Sequence, residues 1–432
     1  MLKSVRLKNV GPAPEMFMSL SDRLNLITGD NGLGKSFLLD VAWWALTRRW
    51  PYEVNPNLTS GYPARPTEIK KPASIEFHLT TKTKSKEISY ASTYSPLDQA
   101  WSGKAGRPWN PGLVIYAHAD GAFSVWDPAR NYWKTRGNID VQDRLPAYVF
   151  SQKEVWEGLS GRNSMKVCNG LLMDWAIWIR ENGTAAENMA EVLSALSPSN
   201  EPADRLTPGP LIRVSIDSAQ DVPSLQTGYQ HTVPILHSSS GVRRIVALAY
   251  MLLWTWQEHR LAAAQIGEDH ANQVVFLIDE MESHLHPKWQ RTILASLLKL
   301  MTILHSDART QLIAATHSPM ILASAEPIFD SRTDAWFDLD LEEKNVVLRK
   351  REYIRLGDVS NWLTSEAFDL REPRSKEAEV EILRAKRLLA KTPPATLQEL
   401  LALVPALQRV LGGSDPFWVR WSAHMEKMRG QK

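Results

Sequence analysis

Apolar residues alternate with polar ones at Ser4 to Asn9 and Met16 to Leu20, then run almost unbroken from Leu24 to Thr28. These are strand patterns, and the third leads directly into the glycine-rich turn of residues 29–36. A helix is expected from about Lys35 to Arg48. Alternation returns at Ser74 to Leu79, Lys86 to Tyr94 and Leu113 to Trp126, divided by turns bearing Pro and Gly. That pattern predicts a mainly antiparallel sheet beside the glycine-rich turn. Residues 50–72, rich in Pro, Thr and Asn, read as loop.

From Ser164 to Ala195 the period becomes helical, with a break at Gly183, and predicts a small helical lobe. The stretch between Gln152 and Ser238 is too short, and too poor in sustained heptads, to form a long coiled-coil arm. Pro210 to Ile216 reads as a strand, and the run after Ser240 as a buried helix. Two apolar strands, Val274 to Ile278 and Gln311 to Thr316, flank a helix beginning near Pro287. Strand and helix in alternation, with continuously apolar strands, predict a parallel sheet covered on both faces. A hairpin over Trp336 to Lys350 and about three amphipathic helices complete the chain, and no internal repeat is visible. The fold class expected is therefore α/β, with a main domain over 1–325, a helical lobe inserted at about 153–208, and a hairpin plus helical region over 326–432.

Composition adds constraints. The 432 residues are 44% hydrophobic and 23% charged, enough for a sizeable core. Fifty Lys and Arg against 48 Asp and Glu leave a net charge of +2, so any grip on nucleic acid must come from a local patch. A single cysteine, Cys168, excludes a disulfide framework and fits a reducing cytoplasm. No segment reaches the roughly 18 apolar residues of a membrane span, and the first residues lack the apolar core of a signal peptide. The 17 tryptophans, Trp175 and Trp178 among them, sit among apolar neighbours and read as core.

The chemistry gathers in a few places. Gly29-Asp30-Asn31-Gly32-Leu33-Gly34-Lys35-Ser36 matches the phosphate-binding loop G-x-x-x-x-G-K-S between a strand and a helix. Its backbone N–H groups can wrap phosphates, Lys35 can reach the β and γ oxygens of ATP, and Ser36 can ligate Mg²⁺. Val274 to Ile278 ends in two carboxylates, Asp279 and Glu280. At the end of a buried strand such a pair is costly unless it opens onto a cation or water, so Asp279 is expected on Mg²⁺ and Glu280 as general base. Ser238-Ser239-Ser240-Gly241 opens a helix, where hydroxyls serve as a cap or as an anion site. Glu282, His284 and His286 could be a Zn²⁺ or Mn²⁺ cluster, but spaced by two before Pro287 they share no helical face.

Taken together, the loop at 29–36, the stretch from Val274 to Pro287, Ser239-Ser240-Gly241 and Thr316-His317-Ser318-Pro319 resemble the AAA_21 or OLD-type ABC ATPases, relatives of SMC and RecF proteins. The resemblance covers about Met1 to Ser324. It implies that Ser239, Ser240 and Gly241 form a signature that touches the γ-phosphate held by a second copy. It also implies that His317 is a switch histidine at that phosphate, that Gln152 belongs to a Q-loop reaching Mg²⁺, and that Glu282 to His286 contain the loop where protomers meet. OLD nucleases carry a further acidic site, for which Asp338 and Asp340 are the comparable pair here. That pair lies in the expected hairpin without the glycine-rich strand that should precede it.

The whole resembles the ATPase subunit of two-component antiphage systems of the PARIS, Septu or retron-associated kind. The resemblance implies an ATP-dependent dimer or higher oligomer, a separate effector such as a nuclease, and DNA or a phage protein as trigger. A RecF-like repair ATPase and an ATP-stabilised scaffold with little turnover are the competing readings. Neither composition nor motifs imply a membrane partner.

Overall fold

The structure, a computed structural model, describes residues 1–429 apart from 82–83, 104–108, 131–133, 138, 142–144, 162–164, 229–230 and 305–307. The chain divides into two compact units, Met1–Gly357 and Asp358–Lys432.

The first unit begins with β1 (Leu2–Lys8), β2 (Glu15–Ser19), β3 (Leu24–Gly29), α1 (Lys35–Thr47), a single turn α2 (Pro51–Val54), β4 (Ser74–Thr81), β5 (Lys84–Ser95) and β6 (Ala100–Trp101). β7 (Leu113–Ala117), β8 (Phe123–Trp126), the ribbon β9 (Lys134–Arg136) and β10 (Ile139–Val141), and β11 (Tyr148–Phe150) follow. A lobe holds α3 (Gln152–Glu157), the ribbon β12 (Leu159–Ser160) and β13 (Lys166–Cys168), α4 (Leu171–Glu181) and α5 (Thr184–Ala195). Short strands β14 (Thr207–Pro208), β15 (Ile212–Arg213), β16 (Asp221–Val222), β17 (Ser224–Gln226) and β18 (Thr232–Pro234) lead to α6 (Ser240–Ile266). The unit ends with β19 (Gln273–Ile278), α7 (Pro287–Gln290), α8 (Ile293–Leu304), β20 (Arg309–Ala315), α9 (Pro319–Ala325), β21 (Asp334–Glu342) and β22 (Asn345–Arg351).

Two sheets organise it. The antiparallel sheet runs β2-β1-β4-β5-β6, and the eight-stranded central sheet runs β11-β8-β7-β19-β20-β3-β21-β22. From β7 to β21 the central neighbours are parallel, and the outer pairs are antiparallel. Every residue of β3, β7 and β19 is buried, as expected of strands covered on both faces. Each fully buried Val, Leu or Ile there contributes about 1.5–3 kcal/mol. The carboxyl ends of β3, β20, β19 and β7 lie side by side, so whatever follows them in sequence meets at one edge. Trp43 and Trp44 of α1 pack into this core, Trp44 stacked on Trp50 at 5.4 Å. Trp175 is fully buried, as the core reading expected.

Several expectations are corrected. Leu113 to Trp126 forms a hairpin of the central sheet and not part of the antiparallel one, because β7 pairs in parallel with β19. Helix begins at Leu171 and not near Ser164, which lies outside the described residues; Lys166–Cys168 is a strand paired with Leu159 and Ser160. In the expected strand Pro210 to Ile216, only Ile212–Arg213 pairs. The hairpin β21–β22 belongs to the first unit, whose end is Gly357 rather than residue 325, because β21 lies in parallel register against β3.

The second unit contains α10 (Val359–Leu363), α11 (Lys376–Leu389), α12 (Leu397–Val410) and α13 (Phe417–Arg429). Ile382, Leu400, Leu407 and Trp421 make its core. Ser375 caps α11, and Thr396 with Glu399 forms a capping box on α12.

Candidate nucleotide site

β3 ends at Gly29, whose φ of +134° and close backbone neighbour both demand glycine. A Cβ there would lie 2.3 Å from the carbonyl oxygen of Leu339 in β21. Asp30, Asn31 and Gly32 are exposed, Leu33 and Gly34 half-buried, and α1 starts at Lys35. The strand beneath is held from the side: the Thr28 hydroxyl donates to Asp338 Oδ1 at 2.8 Å and accepts from Trp336 Nε1 at 2.8 Å. Asp338 also pairs with Arg351. The Asp338 carboxylate, a nuclease candidate in sequence, thus braces the strand that carries the loop.

Lys35 is 7% exposed, and its Nζ donates to the carbonyls of Gly29 at 2.7 Å and Asp30 at 3.0 Å. Burial pushes its pKa down, while Asp279, Glu280, Glu282 and Asp30 pull it back up. Asp279 follows β19 and is 2% exposed, with Oδ1 buried and without a hydrogen-bond partner. Burial pushes its carboxyl up to about 6, against a hydrogen bond from Ser36 and the charge of Lys35. A buried carboxylate oxygen left open beside a serine hydroxyl and a lysine suits a hard cation with oxygen ligands. Ser36 and Asp279 therefore fit Mg²⁺. Glu280 comes next, in a left-handed turn at φ +46°.

His317 follows β20, its side chain 41% exposed. The sequence pattern did not reveal what holds it. Glu282 accepts from the Thr316 hydroxyl at 2.7 Å and from the His317 backbone N–H at 2.7 Å, and its Oε1 lies 3.1 Å from His317 Nδ1. With Nδ1 donating to the carboxylate, the imidazole is fixed in orientation and Nε2 is the nitrogen available for a further partner. Replacing Glu282 by alanine takes the acceptor from the buried Thr316 hydroxyl, which keeps only the Ser318 N–H as a partner, and leaves the imidazole loose. Turnover is expected to fall about 10–100-fold, with ATP affinity nearly unchanged; steady-state kinetics and nucleotide titration check this. Glu282 is committed to this strap, His286 accepts from the Lys288 N–H at the start of α7, and no cluster of three His, Cys, Asp or Glu suited to a metal occurs among the described residues.

Ser239 caps α6 by accepting from the Val242 N–H at 3.3 Å, and Ser239 and Ser240 are exposed. Gly241 is buried, where a Cβ would come within 2.5 Å of the His284 carbonyl oxygen. Gln152 is the first residue of α3 and exposed, its side chain beside Gly121. It lines a cavity of about 320 Å³ with His118, Ser240, Arg243 and Met281, at the carboxyl ends of β7 and β19.

A second buried chain went unread. Tyr116 of β7 donates to Asp40 Oδ1 on α1 at 3.0 Å, and its ring packs tilted against that of His118, 3.8 Å between centroids. Burial pushes the Asp40 carboxyl up to about 8 and the His118 imidazole down to about 4. A carboxyl raised by folding costs stability as pH climbs from about 3.8, where the unfolded group ionises, to about 8, where the folded one does. Asp40→Asn keeps the acceptor for Tyr116 and removes that cost. The nucleotide-free variant should melt at least about 2 °C above the parent at pH 8.5, and level with it near pH 4.

The AAA_21 family model, described as "AAA domain, putative AbiEii toxin, Type IV TA system", matches residues 24–323. Among solved structures, an SMC head domain from Thermotoga maritima aligns with a TM-score of 0.39 and 15% identity, covering 81% of this chain and 99% of that one. The Smc head with an extended coiled coil, bound to the C-terminal domain of ScpA and derived from Pyrococcus furiosus, gives 0.41 at 11% identity, covering 81% and 96%. The recombination mediator RecF gives 0.38 at 13% identity, covering 81% and 98%. No described helix is long and apolar enough to cross a membrane. Matched across well over half its length, from β3 to α9, the chain belongs to the AAA_21 family of P-loop ATPase domains.

Proposed function

We propose that the chain binds and hydrolyses ATP with Mg²⁺, that two copies close head to head around two nucleotides, and that this closure controls a separate effector in antiphage defence. One observation carries the reading: the site is built on one side only. Lys35, Ser36 and Asp279 converge beneath a loop whose Asp30, Asn31 and Gly32 lie open to solvent, while the Ser239 and Ser240 hydroxyls are displayed at the start of another element. A second copy would supply those hydroxyls to the open face.

In this reading the loop N–H groups and Lys35 bind the phosphates, Lys35 leaving the Gly29 and Asp30 carbonyls. Mg²⁺ held by Ser36 and Asp279, and approached by Gln152, would neutralise charge developing on the phosphates. Glu280 orients and deprotonates the attacking water, and His317, held in place by Glu282, contacts the γ-phosphate from the edge of the site. Ser240 and Gly241 of the partner seal the open side. The family description, with its toxin–antitoxin wording, supports a two-component setting. The separate helical unit, with Val380, Leu401 and Val419 exposed, supplies a surface for the effector, which we take to be a nuclease or toxin. The lone thiol of Cys168, 5% exposed, 3.2 Å from the Tyr250 hydroxyl and pushed to about 11 by burial, is consistent with action in the cytoplasm. Sedimentation of the purified chain with Mg²⁺ and ATP tests the proposal: the mass should double with ATP and revert after turnover. A mass independent of nucleotide, with no phosphate released, refutes it.

A further inference from the structure

Arg244 lies four residues beyond Ser240, on the same face of α6. Its guanidinium points away from the helix into the edge where the central strands end. Nη1 donates to the Ala119 carbonyl at 2.8 Å, and Nη2 to the carbonyls of Asp279 at 3.0 Å and Glu280 at 3.1 Å. Three backbone oxygens, one after β7 and two after β19, thus converge on one planar cation. Burial pushes its pKa down, and the charges of Asp279, Glu280, Glu282 and Asp120 around it oppose that shift. The Glu280 carbonyl also accepts from the Ser283 N–H at 2.9 Å, so the left-handed turn of Glu280 is fixed from two sides. One turn back on α6, Gly241 lies so close to the His284 carbonyl that no side chain fits between them. The start of α6 therefore touches the 279–284 backbone at two points, and a shift of the helix must move Glu280.

We infer that Arg244 is a positioning residue that couples the two nucleotide sites of a pair: it ties the helix bearing Ser240, which serves one site, to the turn bearing Glu280, which serves the other. This rests on the shared-site reading above. Engagement of Ser240 with the partner's nucleotide fixes α6, α6 fixes the Glu280 turn through Arg244, and the base in the cis site is aligned once the trans site is filled. The consequence is positive cooperativity in ATP turnover, with a Hill coefficient above one and at most about two for two sites.

The test compares the parent chain with Arg244→Met and Arg244→Lys. Met fills similar space and leaves all three carbonyls without the guanidinium; Lys keeps the charge without the planar fork. For Arg244→Met, turnover at saturating ATP should fall about 10²-fold, the scale of a misplaced catalytic group. KM should stay within about twofold and ATP-dependent pairing should persist, while the Hill coefficient drops to one. Arg244→Lys should regain part of the turnover and none of the cooperativity. A merely structural role would lower melting temperature, nucleotide binding and turnover together. If Arg244→Met does not fold, Arg244→Lys carries the test with the same Hill criterion. Parental turnover and cooperativity in a folded variant that pairs on ATP would overturn the inference alone. A parent chain that never pairs on ATP would instead overturn the shared-site reading.

Discussion

Glu280→Gln is expected to slow ATP turnover by about 10²–10⁴-fold, the usual contribution of a positioned general base, while leaving nucleotide affinity intact. The substitution is isosteric, leaves in place the side chains of Lys35, Ser36 and Asp279 and the backbone carbonyl that Arg244 holds, and removes one charge that acts on Lys35 and Asp279. What it removes is the proton acceptor at the end of β19, one residue beyond the carboxylate that fits the cation. Because ATP stays bound, the closed pair should accumulate and sediment as a long-lived dimer. Ligand can shift that equilibrium only by its preference for the closed state, so accumulation would itself measure the preference. A variant hydrolysing at the parental rate would strip Glu280 of its role.

Lys35→Ala should weaken ATP binding about 10–100-fold, the loss of a charge-assisted hydrogen bond of about 1.5–3 kcal/mol. Lys35 is buried among Asp279, Glu280, Glu282 and Asp30, and in the proposed reading it is the lysine that offsets these carboxylates when phosphates enter. Without it those carboxylates face the γ-phosphate unscreened. Thermal shift is the simplest readout. For the parent, ATP at a hundredfold excess over Kd adds about 2.7 kcal/mol of stability, and at the same ATP concentration that gain should fall to about 0.4–1.4 kcal/mol in the variant. Unchanged ATP-induced stabilisation would mean that the phosphates lie elsewhere.

The parts of this site legible in sequence are those in which one segment carries its own chemistry. The 29–36 loop and the Asp279-Glu280 pair each continue a buried strand into a turn, so pattern and residue type agree at the same place. What stayed hidden depends on neighbours. Glu282 looks like one acid among histidines until β20 lies beside β19 and brings Thr316 and His317 to it. Asp338 looks like half of an acidic pair until β21 lies against β3 and hands it Thr28. Arg244 does not stand out in sequence because its three acceptors are backbone carbonyls, which leave no trace in side-chain pattern. The misassigned hairpin at Leu113 to Trp126 has the same origin. A fully apolar strand does not announce whether its neighbours run parallel or antiparallel, and β7 is chosen by β19.

Mixing two inactive variants tests the shared site most directly. Lys35→Ala lacks a working phosphate loop, and Ser240→Arg lacks a working signature, so each alone should hydrolyse almost no ATP. In a mixed pair, the intact loop of the Ser240→Arg chain faces the intact serine of the Lys35→Ala chain, and one complete site is restored. The account predicts that turnover reappears on mixing, at the uncoupled rate of a single filled site, about 10²-fold below the parent but above either variant alone, and rises with the fraction of mixed pairs. A mixture as inert as its components would contradict it.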